Sequence, residues 1–540
     1  ISLKVQPRTG FDKSFQNLLT VKCGTLVPLL CDEVIPNTTV KLRAAISASL
    51  PPLASDTFMR VQLRTEAFFV PFRLLDGGFQ YWQTREKIGP ISAQFIPNLP
   101  CAFNINAMGA KYWKPGSLAD YLGYKYYSGA DTYGPVSGRF SLLPFLAYHR
   151  VYDDWYRNTL IQSALFKPYA NSPNTRGYDY IEHYPYVAHT GAVLNVGGST
   201  IRAKLTFEDG LNVFDLRQRN FDDDLFTTCK PSPQLGTAQS VGFTVDTQTG
   251  AGSFTIADLR AANSIQQYLE RNNILGYRLQ DYVRGQYGAN LKDGVAQRAL
   301  YLGSASFDVY SKGVYQTANP DSQAVTTQNP FYSVGASYGS AHAGGDFHLI
   351  DNFTANEPGY VFVMVSLVPK VTYGSGIDPK LTRYIGGAGV DDRSDMANPM
   401  LQNIGNEPIY ARQIACCPQA VYSTIYGYTD RYANFMTKYD EVHGLLRDGE
   451  SLESFALQRG FSVSQGDDVA INEEFLRIPD NYLDQVAAVS SSISNYGCWI
   501  DSWLDYKVVQ PLARYSIPSL QNPAYEHGDT VVVNDGGSKI

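Results

Sequence analysis

Val61-Gln62-Leu63-Arg64-Thr65-Glu66-Ala67-Phe68-Phe69-Val70-Pro71 is the stretch that decides the fold class. Val61, Leu63, Thr65, Ala67 and Phe69 alternate with Gln62, Arg64, Glu66 and Phe68. Successive side chains of a strand point to opposite faces, so this period predicts one buried and one partly wet face, as in an antiparallel sandwich. Alternating or continuously apolar runs at Thr25 to Ile35, Thr39 to Ser47, Tyr360 to Pro369, Ala420 to Tyr428 and Trp499 to Val509 read as further strands.

Helical signals are few. Ile256 to Asn273 is the best, with Ile256, Leu259, Ala262, Ile265, Gln266 and Leu269 on one face and Thr255 and Asp258 as a capping pair. Leu143 to Leu160 is a second, aromatic-rich candidate. Strands separated by long insertions, with helices confined to the insertions, predict an elaborated all-β sandwich rather than βαβ units. Residues 1–540 read as a single domain, with a surface-exposed insertion at 168–252 and a helical insertion at 255–290. The former holds Asn-Ser-Pro-Asn, Val-Gly-Gly-Ser and Gln-Thr-Gly-Ala-Gly-Ser turns.

Of 540 residues, 44% are hydrophobic, 13% aromatic and 18% charged, which excludes a disordered or fibrous chain. The 46 glycines and 29 prolines are spread along the whole length, and 38 tyrosines are many. Short strands with punctuated loops suit that composition. The longest apolar run, Val361 to Val365 extended by Leu367 and Val368, falls far short of the ~20 residues of a spanning helix, so no membrane partner is expected. Seven cysteines without framework spacing predict reduced thiols and synthesis inside a cell. A net charge of −7 lacks the positive field of a nucleic-acid binder, so contact with nucleic acid must be local or delegated to a basic partner.

Candidate chemistry is sparse. Gly335-Ala336-Ser337-Tyr338-Gly339 fits G-x-S-x-G, with Asp346 and His348 downstream, but a nucleophile elbow needs a helix after it, and Gly339 to Gly345 is a poor helix former. A surface loop is the expectation there. His149 and Asp153 sit four apart on the second helix, without a metal-binding pattern around them. Asp222-Asp223-Asp224, Asp391-Asp392 and Asp467-Asp468 lack calcium-loop spacing and read as exposed turns. No catalytic, cofactor or metal site is expected. Lys4, Arg8 and Lys13 accompany Phe11 and Phe15 in an N-terminal arm that could pair with phosphates and stack on single-stranded bases; an ordinary packed terminus is the alternative.

Phe11-Asp12-Lys13-Ser14, Leu26-Val27-Pro28, Asp32-Glu33-Val34-Ile35-Pro36 and Phe68 to Leu75 resemble, in order and spacing, the N-terminal third of the major capsid proteins of the Microviridae, small tailless phages. Ala147 to Asn158, Arg219-Asn220-Phe221-Asp222 with Lys230 to Gln234, Thr255 to Asn273, Gly359 to Asp378 and Asp505 to Leu520 continue the resemblance. Together these blocks cover about half of the residues. Ser232 stands where a Trp is expected in the Pro-rich turn, and the segment after it is short, which puts a gokushovirus-like threefold protrusion in doubt.

The resemblance implies an eight-stranded viral jelly roll and sixty copies in a T=1 icosahedral virion shell around circular single-stranded DNA, made in the bacterial cytoplasm. It further implies a small basic DNA-binding peptide as partner and no enzymatic activity. A host surface receptor could meet residues 168–252. The rival reading is a secreted carbohydrate-binding or carbohydrate-cleaving β-sandwich, because Tyr-rich loops also suit sugar stacking.

Overall fold

The computed structural model describes residues 8–53, 57–75, 79–85, 101–103, 114–124, 139–163, 165, 194–196, 199–201, 214–233, 244–245, 252–253, 256–275, 278–292, 297–316, 337–382, 405–461, 463–464, 467, 469–487 and 497–512. Nine strands build the body: β1 (Thr9–Asp12), β2 (Phe15–Val21), β3 (Val27–Val34), β4 (Thr38–Ser49), β5 (Val61–Pro71), β6 (Leu300–Gln316), β7 (Ser337–Ala355), β8 (Gly359–Pro369) and β9 (Cys498–Gln510). All their pairings are antiparallel. β1 and β2 lie end to end along β9, Thr9 opposite Gln510 and Val21 opposite Cys498, and so occupy one position in the sheet.

One four-position sheet runs β1/β2–β9–β4–β7, and the other runs β6–β5–β8–β3. β6 joins them. Its first half pairs with β5, from Leu300 opposite Phe69 to Val309 opposite Val61. Its second half pairs with the start of β7, from Tyr310 opposite His342 to Gln316 opposite Ser337. Numbering the eight positions in chain order, the two sheets read 1-8-3-6 and 5-4-7-2, the order of a jelly roll. The eight-stranded all-β expectation is thereby met.

The two sheets read differently because they are covered differently. β4 and β9 alternate strictly, Val40, Leu42, Ala44 and Ile46 facing in with Ile500, Leu504, Tyr506 and Val508, because only one face of that sheet is packed. β5 and β8 carry Val61, Leu63, Ala67, Val361, Val363 and Val365 on the sandwich side. Phe68, Val70, Phe362 and Met364, on their other side, belong to a second core with α1 (Leu143–Val151), which contributes Phe145, Leu146, Tyr148 and Val151. Burial on both faces turns the strand pattern into a continuous apolar run. The Tyr148 hydroxyl fixes this helix by donating to the Leu26 carbonyl at 2.8 Å and accepting from the Arg217 amide at 2.8 Å.

Both expected helices form within a few residues of their predicted limits. α1 continues as a π-turn over Tyr152–Tyr156. α2 (Ile256–Leu275) and α3 (Leu279–Tyr287) lie within the expected helical insertion. Only Ile425–Thr429 of the strand expected at Ala420 to Tyr428 is extended, paired with Glu407–Tyr410; Gln419–Val421 is a 3-10 turn. The expected loop at Gly335 to Gly339 is corrected from Ser337 onward, where β7 begins.

Within the segment read as a surface insertion, residues 214–233 run through the interior instead. Phe214 is buried in the helix-side core, and Phe221, Phe226 and Cys229 are buried in the sandwich core. The remainder of 168–252 lies almost wholly outside the described residues, as do Asp391-Asp392.

Candidate assembly and nucleic-acid surfaces

The N-terminal segment is held as two strands, and its register decides where each expected contact residue goes. Lys4 lies outside the described residues. Arg8 is exposed; its guanidinium donates to the Thr39 hydroxyl and, at 3.3 Å, to the Val509 carbonyl. Phe11 and Phe15 are partly buried and pack on the sandwich core. Phe11 and Phe15 are four apart in one continuous register, opposite the buried Val508 and Leu504, so both rings fall on the inward side.

Lys13 is engaged twice. Its ammonium lies 2.5 Å from an Asp32 carboxylate oxygen and 5.5 Å from the centre of the Tyr506 ring. The Tyr506 hydroxyl donates to the same Asp32 oxygen at 2.8 Å, and its amide donates to the Ser14 hydroxyl at 3.1 Å. Both cations therefore lie along β9, but Lys13 is neutralised locally while Arg8, among the described residues, meets a hydroxyl and a carbonyl.

The alternation of β9 carries a surface that the sequence reading did not single out. Trp499 and Trp503, the latter 52% exposed, point away from the core, and Leu18 on the neighbouring β2 is 68% exposed. Trp503 stands between Gln16 and Ala45, and Trp499 between Thr20 and Ser49, so small or polar residues flank both rings. Arg43 on β4 pairs with Asp346 on β7, its Nε at 2.7 Å. Asp346 and His348 are thus outward-facing strand residues with Ser337 at the strand's far end, not members of a hydrolase triad. The signal was present as Trp499, Asp501 and Trp503 against Ile500, Ser502 and Leu504.

Interior polar groups are used structurally. His149 accepts from the Arg217 Nε at 3.2 Å, and Asp153 pairs with Arg157 at 2.7 Å while accepting from the Leu165 amide at 3.0 Å. On the outer side of β5, Glu66 meets Arg219 at 2.7 Å and accepts from the Tyr156 hydroxyl. Asp222 pairs with Arg64, and Asp224 accepts from the Phe226 and Thr227 amides at 2.8 Å each. Burial raises the thiols of Cys23 and Cys229 far above their ordinary range and that of Cys498 to about 12, which leaves them protonated and inert.

A jelly roll that, among the described residues, exposes Leu18, Trp499 and Trp503 on the outer face of one sheet is of the class of proteins made to be covered by other macromolecules. The chain belongs to the phage F capsid-protein family: the family model described as "Capsid protein (F protein)" matches residues 2–520. It is similar to the capsid protein VP1 of Chlamydia phage 1, 25% identical over 95% of this chain and 96% of that one. The VP1 capsid proteins of Bdellovibrio phage phiMH2K and Spiroplasma virus 4 are each 24% identical, covering 95% of this chain and 95% and 96% of theirs. The protein is therefore a structural component of a phage virion, not an enzyme, and it self-assembles into a multi-copy shell. The carbohydrate-active rival gives way to that match.

Proposed function

We propose that sixty copies of this chain close into a T=1 icosahedral shell around a circular single-stranded DNA genome. One observation carries the reading: a capsid-family match along residues 2–520 falls on a complete jelly roll. Closed icosahedral symmetry requires each subunit to be buried on several sides by copies of itself. The low charged fraction of 18% and the many tyrosines suit such surfaces, whose cores are depleted in Lys and Glu and enriched in aromatics.

A subunit with a net charge of −7 does not neutralise packaged DNA, which brings a negative charge with every nucleotide. A small basic DNA-binding peptide shares the interior. The chain's own contacts with DNA are local and sequence-tolerant, made chiefly by Lys4 and Arg8, with Lys13 contributing little because Asp32 engages it. Phe11 and Phe15 support that segment from the core side rather than stacking on bases. The part of the segment 168–252 outside residues 214–233 supplies the surface that meets the host.

Electron microscopy of the purified protein, with nuclease treatment and assay of the protected nucleic acid, tests this reading. Uniform shells that protect circular single-stranded DNA are expected. Dispersed single subunits under conditions that preserve virions would overturn the shell, and shells protecting no DNA would overturn packaging.

A further inference from the structure

Outside β5 and β8 lies the helix-side core, whereas the outer face of β2, β9, β4 and β7 carries no packed layer among the described residues. Three large apolar side chains stand on that face. Trp499 and Trp503 of β9 are 44% and 52% exposed, and Leu18 of β2 lies opposite Asp501, diagonal to both rings. Residues four apart on a strand are about 13 Å apart, so the two rings are separate stations along one line. Among the described residues neither ring packs on another aromatic ring or under a cation. Their cross-strand neighbours are small or polar, Thr20 and Ser49 beside Trp499 and Gln16 and Ala45 beside Trp503.

Charge does not select what this face takes. Arg43 pairs with Asp346 and Lys507 with Asp505 at 3.1 Å, and Asp501 accepts from the side-chain amide of Gln16 at 2.7 Å. The exposed Asp12 and Asp351 offset Arg8 and Lys41. A face this balanced draws in neither a polyanion nor a polycation by its field. Three apolar side chains interrupted by Asp501 also fall short of the contiguous apolar centre of a subunit interface, which covers roughly 800 Å² per partner. What the face offers is two isolated flat π surfaces, and these take up the bases of a single strand without regard to sequence.

Position supplies the partner. In a shell one subunit thick, the sides of each jelly roll are taken by copies and one broad face looks inward. The N-terminal segment lies along this same sheet, with the Arg8 guanidinium bonded to Thr39 of β4 and Val509 of β9, which stand opposite each other. The bare sheet and the DNA contact proposed for Arg8 therefore share a side. We propose that Trp499 and Trp503 form a stacking platform for bases of the packaged single-stranded DNA, with this face of the jelly roll turned to the shell interior. This rests on the shell reading, which puts the genome on one side of the subunit.

Dispersed full-length subunits titrated with a fluorescein-labelled oligothymidylate of about 16 nucleotides test it. Trp499→Leu with Trp503→Leu should melt as the wild type does and weaken binding at least tenfold. Trp499→Phe with Trp503→Phe, which keeps flat rings, should recover most of that loss. Raising salt from about 50 to 200 mM should cost the wild-type chain about tenfold or less, against the roughly 10³–10⁵-fold lost by proteins with about 6–10 phosphate contacts. Equal affinity in the wild type and the leucine variant, or a salt loss of the larger size, overturns the platform. Lost shells with unchanged oligonucleotide binding in the leucine variant also overturn it, making this face a contact between copies. Wild-type subunits that show the ring dependence yet close into no shell overturn the capsid reading instead.

Discussion

A Cβ on Gly303 would lie 2.2 Å from the carbonyl oxygen of Leu349, because β6 and β7 pass each other there with only backbone between them. A Cβ on Gly345, farther along, would lie 2.0 Å from the Phe307 ring. The first obstacle is backbone and the second is a side chain that can turn. Gly303→Ala should therefore cost more than Gly345→Ala, which falls near the 1–3 kcal/mol typical of overpacking. Urea unfolding of the two variants measures the order, and equal losses would show that the strands are not this close.

Glu66 and Arg219 form a nearly buried pair at 2.7 Å, completed by the Tyr156 hydroxyl and by Ser366, whose Oγ accepts from Arg219 at 3.3 Å. Removing one charge strands the other. Glu66→Gln should lower stability by about 3–5 kcal/mol, and Tyr156→Phe by about 1–2 kcal/mol. Denaturant titration of both variants checks the ranking.

Asp154 is buried beneath Arg150, 2.9 Å away, and accepts from the Ala299 amide at 2.9 Å. Burial outweighs both partners and holds its carboxyl above the ordinary range. A raised carboxyl penalises the fold while ionised, and the penalty fades as pH falls through the folded value toward the unfolded one. Wild-type stability relative to Asp154→Asn should therefore rise on acidification from neutral pH. A difference that stays constant, or shrinks, would contradict this assignment of sign.

The faces of β9 make a paired prediction. Leu504 is fully buried and Trp503 is half exposed. Leu504→Ala should cost about 2–5 kcal/mol, whereas Trp503→Ser should change subunit stability by no more than about 0.5 kcal/mol. Thermal melts of dispersed subunits distinguish them, and a reversed order would mean that the register of β9 is shifted by one.

Replacing Lys4, Arg8 and Lys13 together by Ala should lower the DNA protected per shell without preventing shell formation. Lys13→Ala alone should act mainly through the loss of its Asp32 and Tyr506 contacts, with DNA content little changed. Absorbance ratios of purified shells report both, and unchanged DNA in the triple variant removes the N-terminal contact.

Strands with one clear environment were legible. β5, β8 and β9 lie within a residue or so of their expected limits, because burial on one or both faces writes itself as alternation or as an apolar run. β6 and β7 were not singled out as strands. Gly303, Ser304, Ala305 and Ser306, like Gly344 and Gly345, look like turn chemistry, yet at Gly303, Gly344 and Gly345 another chain segment approaches too closely for a side chain. Phe11 and Phe15 had the composition of a stacking arm, but the partner strand β9, almost five hundred residues away in sequence, draws both rings onto the core.

By itself the sequence determined the all-β class, the two principal helices, the absence of a positive overall field and the kinship with phage capsid proteins, since these follow from local periodicity, composition and ordered motifs. Only the tertiary structure decided that residues 214–233 are interior, that Lys13 is spent on Asp32, and that Ile256, Leu259 and Ile265 of α2 are exposed. Those outcomes depend on which distant segments meet. Burial and pairing are properties of the meeting, not of the residues that take part in it.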